Sequence, residues 1–318
     1  MRLVIVIPTY NEKENIVNLL HRINLTFRDI RGWTLRVLIV DDNSPDGTAD
    51  AVRDVMRRNR KVFLLSRSKK TGLGGAYFSG MERAFKEMGA DVVGIMDADL
   101  SHNPAYIPAF LGKIQRGYEF VVGARYVRGG SIPSDWPLYR KFLSVFGNTM
   151  VSVFLGKTTL TDWTSGYRFF NKDVYVKVRP EIIEDRAEYR GYTFNISFAY
   201  HAVSEGFKIG QVPIKFSDRK KGKSKLGLEY LFHTPIFLLK TRLSILRKGI
   251  VKRSRVVIRV CSRTQSVGPV GSSSSARISS SASWRTAGAR RDSSFESEPE
   301  GSSLRVEDLR SRHPLRNF

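Results

Sequence analysis

The sequence predicts an α/β fold: a mainly parallel sheet covered by helices on both faces. Two observations carry this. Through the first 125 residues, apolar runs of strand length alternate with segments of helical period. The residues with most chemical potential also directly follow those apolar runs, where open α/β sheets bind ligands.

The strand candidates are Leu3–Ile7, Leu35–Val40, Val62–Leu65, Val92–Met96 and Phe120–Val122. Their nearly continuous apolar, β-branched character suits strands buried on both sides. Between them, Glu14–Ile23, Ala49–Arg58, Gly75–Met88 and Pro104–Gln115 have helical period. Asp46-Gly47-Thr48 precedes the second of these, and Asn103-Pro104 gives the fourth a cap and a first-turn proline. Residues 126–225 are less regular. Tyr139–Leu155 and Phe194–Ser204 read as helices, Ser165–Phe170 as a turn into a short strand, and Lys208–Ile214 as a strand. Residues 227–250 hold a basic, apolar-rich amphipathic helix.

From residue 251 the composition changes. Residues 251–318 contain 17 serines and one lysine, against twelve arginines. Such a segment cannot bury enough apolar surface to offset its ordering entropy, so disorder is expected. The expected organisation is therefore a catalytic domain over 1–226, a membrane-interface helix over 227–250 and a disordered tail over 251–318.

The chain of 318 residues carries a net charge of +23, which favours an anionic partner: nucleic acid, acidic lipid or a phosphorylated substrate. Its single cysteine, Cys261, excludes a disulfide framework and a Cys-rich metal site. The apolar N-terminus is too short for a signal peptide and reads as a buried first strand. No stretch reaches the roughly 18 apolar residues of a membrane span.

Four groups of residues carry chemistry. Met96 is followed by Asp97-Ala98-Asp99. Alternate residues of an extended chain point the same way, so the two carboxylates form a hard oxygen site suited to Mg²⁺ or Mn²⁺. A solvated turn is the alternative, and the position after a very apolar strand favours the metal. Pro8-Thr9-Tyr10-Asn11-Glu12 ends the first strand, where Pro8 is expected to stop the ladder. That loop reads either as a plain strand-to-helix turn or as a grip on a nucleobase walled by Tyr10. Lys69-Lys70-Thr71-Gly72-Leu73-Gly74-Gly75 precedes a helix and lets backbone approach an anion, or is a flexible turn. It matches neither a Walker A loop nor a dinucleotide fingerprint. Finally, Arg125, Arg140, Arg168, Arg219, Lys223 and Lys225 are cations able to grip phosphate, or solvated surface charges.

Taken in order, these elements resemble the dolichol-phosphate mannosyltransferase (polyprenyl-phosphate mannose synthase) group of the family 2 glycosyltransferases. The resemblance runs over about residues 3–230. It rests on Pro8–Glu12, Asp41–Thr48, Gly72-Leu73-Gly74, Asp97–His102, Gly123–Tyr126, Ser165–Arg168, Asp218-Arg219 and Gly222–Leu226. It implies a GT-A, Rossmann-like fold, a GDP-mannose donor and a polyprenyl (dolichyl) phosphate acceptor. By the family pattern Pro8, Tyr10, Glu12 and Asp42 meet the guanosine part of the donor, and Gly74, Asp97 and Ala98 complete the donor-nucleotide site. Asp97 and Asp99 hold Mg²⁺ or Mn²⁺. Asp99, Arg125 and Arg219 are the expected catalytic residues, and Arg140, Arg219 and Lys225 meet the acceptor and its phosphate. Two positions depart from the pattern: Ser101 stands where a Gln is common, and Asn195 and Ser197 stand where relatives often show Gln-x-Glu.

The resemblance further implies a peripheral enzyme on the cytoplasmic face of a membrane, the cell membrane of a prokaryote or the ER of a eukaryote. The helix over Leu226–Arg247 reads either as lying in the interface or as an ordinary core-packing helix, and a membrane-protein partner is open. A rival keeps the fold and transfers glucose from UDP-glucose. A rival of another class is nucleic-acid binding through the basic tail, disfavoured because residues 1–250 show no zinc-finger spacing and no RNP-like motif. A third, an inactive nucleotide-binding scaffold, is opposed by the presence of both Asp97 and Asp99.

Overall fold

The computed structural model describes residues 1–68, 72–156, 159–184, 192–217, 235–236 and 238–243. The elements in order are β1 (Arg2–Thr9), α1 (Lys13–Phe27), β2 (Thr34–Asp41), α2 (Thr48–Arg58), β3 (Val62–Ser66), α3 (Leu73–Lys86) and β4 (Val92–Ile95). A short 3-10 turn (Pro104–Tyr106), α4 (Ile107–Gln115), β5 (Phe120–Ala124), α5 (Leu138–Leu155), β6 (Arg168–Asn171), α6 (Lys172–Glu184), α7 (Tyr192–Ser204) and β7 (Ile209–Pro213) follow. The seven-stranded sheet has the order β3-β2-β1-β4-β6-β5-β7. Only β6 runs antiparallel to its neighbours β4 and β5.

Period-two alternation divides the core. Leu3, Ile5 and Ile7 of β1 face a layer with Ile16, Leu19 and Ile23 of α1 and Phe110 of α4. Val4 and Val6 face the opposite layer with Tyr77, Met81 and Phe85 of α3 and Phe198 of α7. Closest approach occurs at Gly80, where an added Cβ would overlap Val6 and lie 2.9 Å from Val40 Cγ2. Asn103 caps the 3-10 turn as expected, accepting from the Ala105 N–H at 3.0 Å.

The structure corrects three sequence expectations. Pro8 does not end β1: it pairs with Val40, and the strand continues to Thr9. Val6 uses its carbonyl toward Met96 and Thr9 toward Asp42, so the missing N–H of Pro8 faces the β4 side, past the end of that ladder. Helix α6 follows β6 directly, where no helix was expected. Arg168, counted among the phosphate-gripping cations, is buried in the interior. Its Nε, Nη1 and Nη2 donate to the carbonyls of Ser165 (2.6 Å), Asn195 (2.6 Å) and Trp163 (2.8 Å).

A second, partly buried cation ties the end of β5 to the loop before β6. Arg125 closes its fork on the fully buried Asp162, Nε to Oδ2 and Nη2 to Oδ1 both at 2.7 Å. Its backbone N–H adds a third bond to Asp162 at 3.0 Å, and Nη2 also donates to Thr164 Oγ1 at 2.8 Å. Burial opposes the charged carboxylate of Asp162. The charge and hydrogen bonds of Arg125 outweigh it and hold the carboxyl below its ordinary value of 3.8. Of the amphipathic helix read over 227–250, residues 235–236 and 238–243 are helical and the remainder lies outside the described residues, as does the tail.

Two outcomes are expected. Gly80→Ala should lower stability by about 1–3 kcal/mol in a urea melt, since the α3–sheet contact has no room for a methyl. Asp162→Asn should cost about 3–5 kcal/mol at pH 7, because Arg125, largely covered, would lose its counter-charge and its bidentate partner. A depressed folded pKa gives stability that is present above the unfolded value and lost as pH falls through the folded one. The acid-side loss in melts between pH 5 and pH 2 should therefore be smaller in Asp162→Asn than in wild type.

Candidate active site

Strand order reverses between β1 and β4, which opens a crevice at the carboxyl ends of the parallel strands. The loops after β1, β2, β4, β5 and β7 emerge there. Because β6 runs the other way, the loop leading into it reaches the same edge. Among the described residues, the positive-φ non-glycines are Asn11 (57°), Asn43 (56°) and Leu100 (66°), one after each of β1, β2 and β4. Asn tolerates this conformation, whereas for Leu it costs roughly 1–2 kcal/mol. Backbone strain is thus concentrated at the crevice.

The β1 and β2 loops are locked together. Buried Asp41 accepts from the Thr9 hydroxyl at 2.9 Å, the Ser44 N–H at 3.0 Å and the Ser44 hydroxyl at 2.6 Å. Ser44 Oγ, Thr48 Oγ1 and Asp46 Oδ2 accept the backbone N–H groups of Asn11, Glu12 and Lys13 at 3.0, 3.0 and 3.1 Å. The β2 loop therefore satisfies orphan donors at the start of α1, where that helix has no capping side chain of its own. Partial burial opposes the charge of Asp46, but hydrogen bonds from Thr48 and Lys13 prevail and keep its carboxyl below the usual range. Of the expected nucleoside residues, Pro8, Tyr10 and Glu12 lie along this loop, partly exposed. Asp42 is buried beside them and accepts from Arg67 Nη1 at 2.9 Å.

The loop after β4 presents both carboxylates. Asp97 is about a third exposed, and its Oδ1 accepts the Tyr77 hydroxyl of α3 at 2.7 Å. Its backbone N–H donates to His102 Nδ1 at 2.9 Å, so the neutral His102 ring carries its proton on Nε2, which stands 3.8 Å from Asp97 Oδ2. His102 stacks on Tyr167 at 4.9 Å between centroids. Asp99 is nearly buried, with Oδ1 accepting from the Ser101 N–H at 3.1 Å and hydroxyl at 2.6 Å. Ala98 is buried between them. Gly72, at φ 92°, opens α3, and buried Gly74 lies in that helix's first turn, one turn before Tyr77. Lys69, Lys70 and Thr71 lie outside the described residues.

Two acidic side chains of hard oxygen character fit a small divalent cation that completes its shell with substrate oxygens and water. Among the described residues no group of three His, Cys, Asp or Glu side chains gathers to hold a metal by itself. His102 is unsuited to be a ligand, because one ring nitrogen accepts from the backbone and the other bears the proton.

Of the expected cations, Arg125 has its Nε and Nη2 engaged with Asp162 and Thr164 and lies 5.5 Å from the Phe216 ring centroid. Arg140, at the start of α5, stacks on Trp136 at 3.8 Å. Trp136 meets Phe216 edge-on at 6.0 Å, and Phe216 meets His102 at 6.3 Å, so an aromatic bridge runs from Arg140 to the carboxylate loop. Arg219, Lys223 and Lys225 lie outside the described residues. Asn195, one of the two departures from the family pattern, is buried in the network of Arg168 and donates to the Thr164 carbonyl at 3.3 Å. Reading the sequence missed Tyr77, Asp162, Trp136 and Phe216. Asp162 alone carried a signal there: a carboxylate set between the apolar Leu160 and Trp163.

Residues 4–179 match the family described as Glycosyl transferase family 2. The polyprenol monophosphomannose synthase of Mycolicibacterium smegmatis is 34% identical over 71% of this chain and 81% of its own length. The undecaprenyl-phosphate mannosyltransferase of Micrococcus luteus is 37% identical over 71% of this chain and 88% of its own. In fold, the chain resembles glucosyl-3-phosphoglycerate synthase from Mycobacterium tuberculosis, solved with Mn²⁺, UDP and glucosyl-3-phosphoglycerate. The TM-score is 0.52 at 17% identity, covering 76% of this chain and 79% of that one. With a GT-A-like sheet and its carboxylate-bearing edge, this chain belongs to glycosyl transferase family 2 and is a glycosyltransferase.

Proposed function

We propose that this enzyme transfers mannose from GDP-mannose to the phosphate of a polyprenol, giving polyprenyl-phosphate mannose with inversion at the sugar. The names of the two bacterial relatives support the sugar and the acceptor class. The observation that carries the lipid acceptor is α5. Leu138, Tyr139, Phe142, Leu143 and Val153 on this helix are 52–82% exposed. No acidic residue lies in α5, and Arg140 and Lys141 occupy its first turn. Exposed apolar surface of this extent, edged by cations, suits the face of an anionic bilayer. The described helical residues after β7 add to it: Ile236, Leu239 and Leu243 are exposed, while Leu238 is buried in the core. No described helix is long and apolar enough to cross a membrane, and the proposed seat is peripheral, on the cytoplasmic face.

In this reading Pro8, Tyr10, Glu12 and Asp42 hold the nucleoside, and Gly74 lets the start of α3 approach the diphosphate. Asp97 and Asp99 would hold Mg²⁺ or Mn²⁺, which would supply positive charge beside the departing diphosphate. Arg140, Arg219 and Lys225 meet the acceptor phosphate. The bond from the anomeric carbon to the GDP oxygen breaks with its electron pair leaving on GDP, and a bond to an acceptor phosphate oxygen forms. A phosphate monoester has a second pKa of about 6, so this nucleophile is already ionised near neutral pH and needs no general base.

Purified protein given GDP-mannose, a short polyprenyl phosphate and Mn²⁺ should form the mannosyl lipid, with EDTA abolishing turnover and UDP-glucose giving little. Product from UDP-glucose alone would overturn the donor assignment. Asp99→Ala should lower turnover by about 100-fold or more; an unaffected rate would remove the metal role. Phe142→Glu with Leu143→Glu should cut flotation with phosphatidylglycerol liposomes several-fold while GDP binding is retained, and unaltered flotation would refute α5 as the docking face.

A further inference from the structure

Each candidate metal carboxylate has one oxygen already committed to a hydroxyl of the protein, and the two hydroxyls come from different elements. Tyr77 is fully buried on α3, its ring 5.6 Å from that of Phe194, and its hydroxyl meets Asp97 Oδ1 at 2.7 Å. Gly166 makes room for this bond. A Cβ there would lie 3.2 Å from the Tyr77 hydroxyl, close enough to press on it, and in ordinary contact with Asp97 Oδ1 at 3.6 Å. Ser101 is 4% exposed and reaches back to Asp99 Oδ1 with both its N–H and its hydroxyl. The left-handed turn at Leu100, φ 66°, brings it there.

We propose that Tyr77 and Ser101 are positioning residues that preset the Asp97–Asp99 pair for a divalent cation before the donor arrives. The proposal rests on the metal reading above and extends it. A carboxylate free to rotate must be ordered when the ion binds, whereas one already fixed by a buried donor loses little freedom. Tyr77 lies one helical turn beyond Gly72–Gly74, so the same rigid element carries the proposed diphosphate-facing turn and the donor that orients Asp97. On Asp99 the hydroxyl and the N–H act together, which links the shape of the strained loop to the direction of the carboxylate.

The test measures Mn²⁺ binding in the presence of GDP and without acceptor, by the electron paramagnetic resonance of free Mn²⁺. Tyr77→Phe and Ser101→Ala should each weaken Mn²⁺ binding by about 10–100-fold, the range for removing a group that orients a metal ligand. Ser101→Thr, which keeps the hydroxyl, should stay near wild type. The KM for polyprenyl phosphate should not move. Tyr77 and Ser101 act on separate carboxylates, so Ser101→Ala and its Thr counterpart decide the matter should Tyr77→Phe fail to fold. Wild-type affinity in both Tyr77→Phe and Ser101→Ala overturns the positioning role and leaves the metal reading intact. Absence of Mn²⁺ uptake by wild type with GDP present overturns both.

Discussion

Carboxylates taken out of water must be met by fixed donors, and this constraint organises the reactive edge of the molecule. Asp41, Asp42, Asp99 and Asp162 are all buried there. Each is answered by a donor from elsewhere in the chain or from the next turn of its own loop: Thr9 and Ser44, Arg67, Ser101, and Arg125. The donors cross between loops, so satisfying the acids also fixes the loops against one another. The left-handed turns at Asn43 and Leu100 are flanked by bonds to these acids, and that at Asn11 by the bond from its N–H to Ser44 Oγ. Rigidity at a site for charged ligands thus follows from the cost of leaving a buried acid unanswered.

The sheet makes this convergence possible. Six strands deliver their carboxyl ends to one edge, and the single reversed strand, β6, delivers its amino end to that edge as well. The residues at the start of β6 therefore enter the crevice from the same side as Asp97, which lets Gly166 lie against the Asp97–Tyr77 pair.

How much of this was legible depended on sequence distance. The strands, most helices and the Asp97–Asp99 pair could be read, because periodicity and strand-end carboxylates are local patterns. Asp162 and Arg125 are 37 residues apart, and nothing local joins them. Arg168 was misread because charge suggests solvent; only the meeting of β6 with α7 shows a guanidinium whose three nitrogens each donate to a carbonyl. Tyr77 looked like one more apolar residue of α3. Helix α5 could be read only as a helix, since composition does not distinguish one that packs on a sheet from one that offers the same residues outward. Pro8 was taken as a terminator for want of an N–H, and the reading failed because its two neighbours, β2 and β4, end at different heights.

The tight crossing at Gly80 has a consequence for the chemistry three residues earlier on the same helix. With no side chain there, α3 sinks onto Val6 and Val40. That depth sets how far the phenol of Tyr77 penetrates toward the end of β4. The missing methyl group works as a spacer gauge, converting a packing tolerance between a helix and two strands into the aim of an acid side chain.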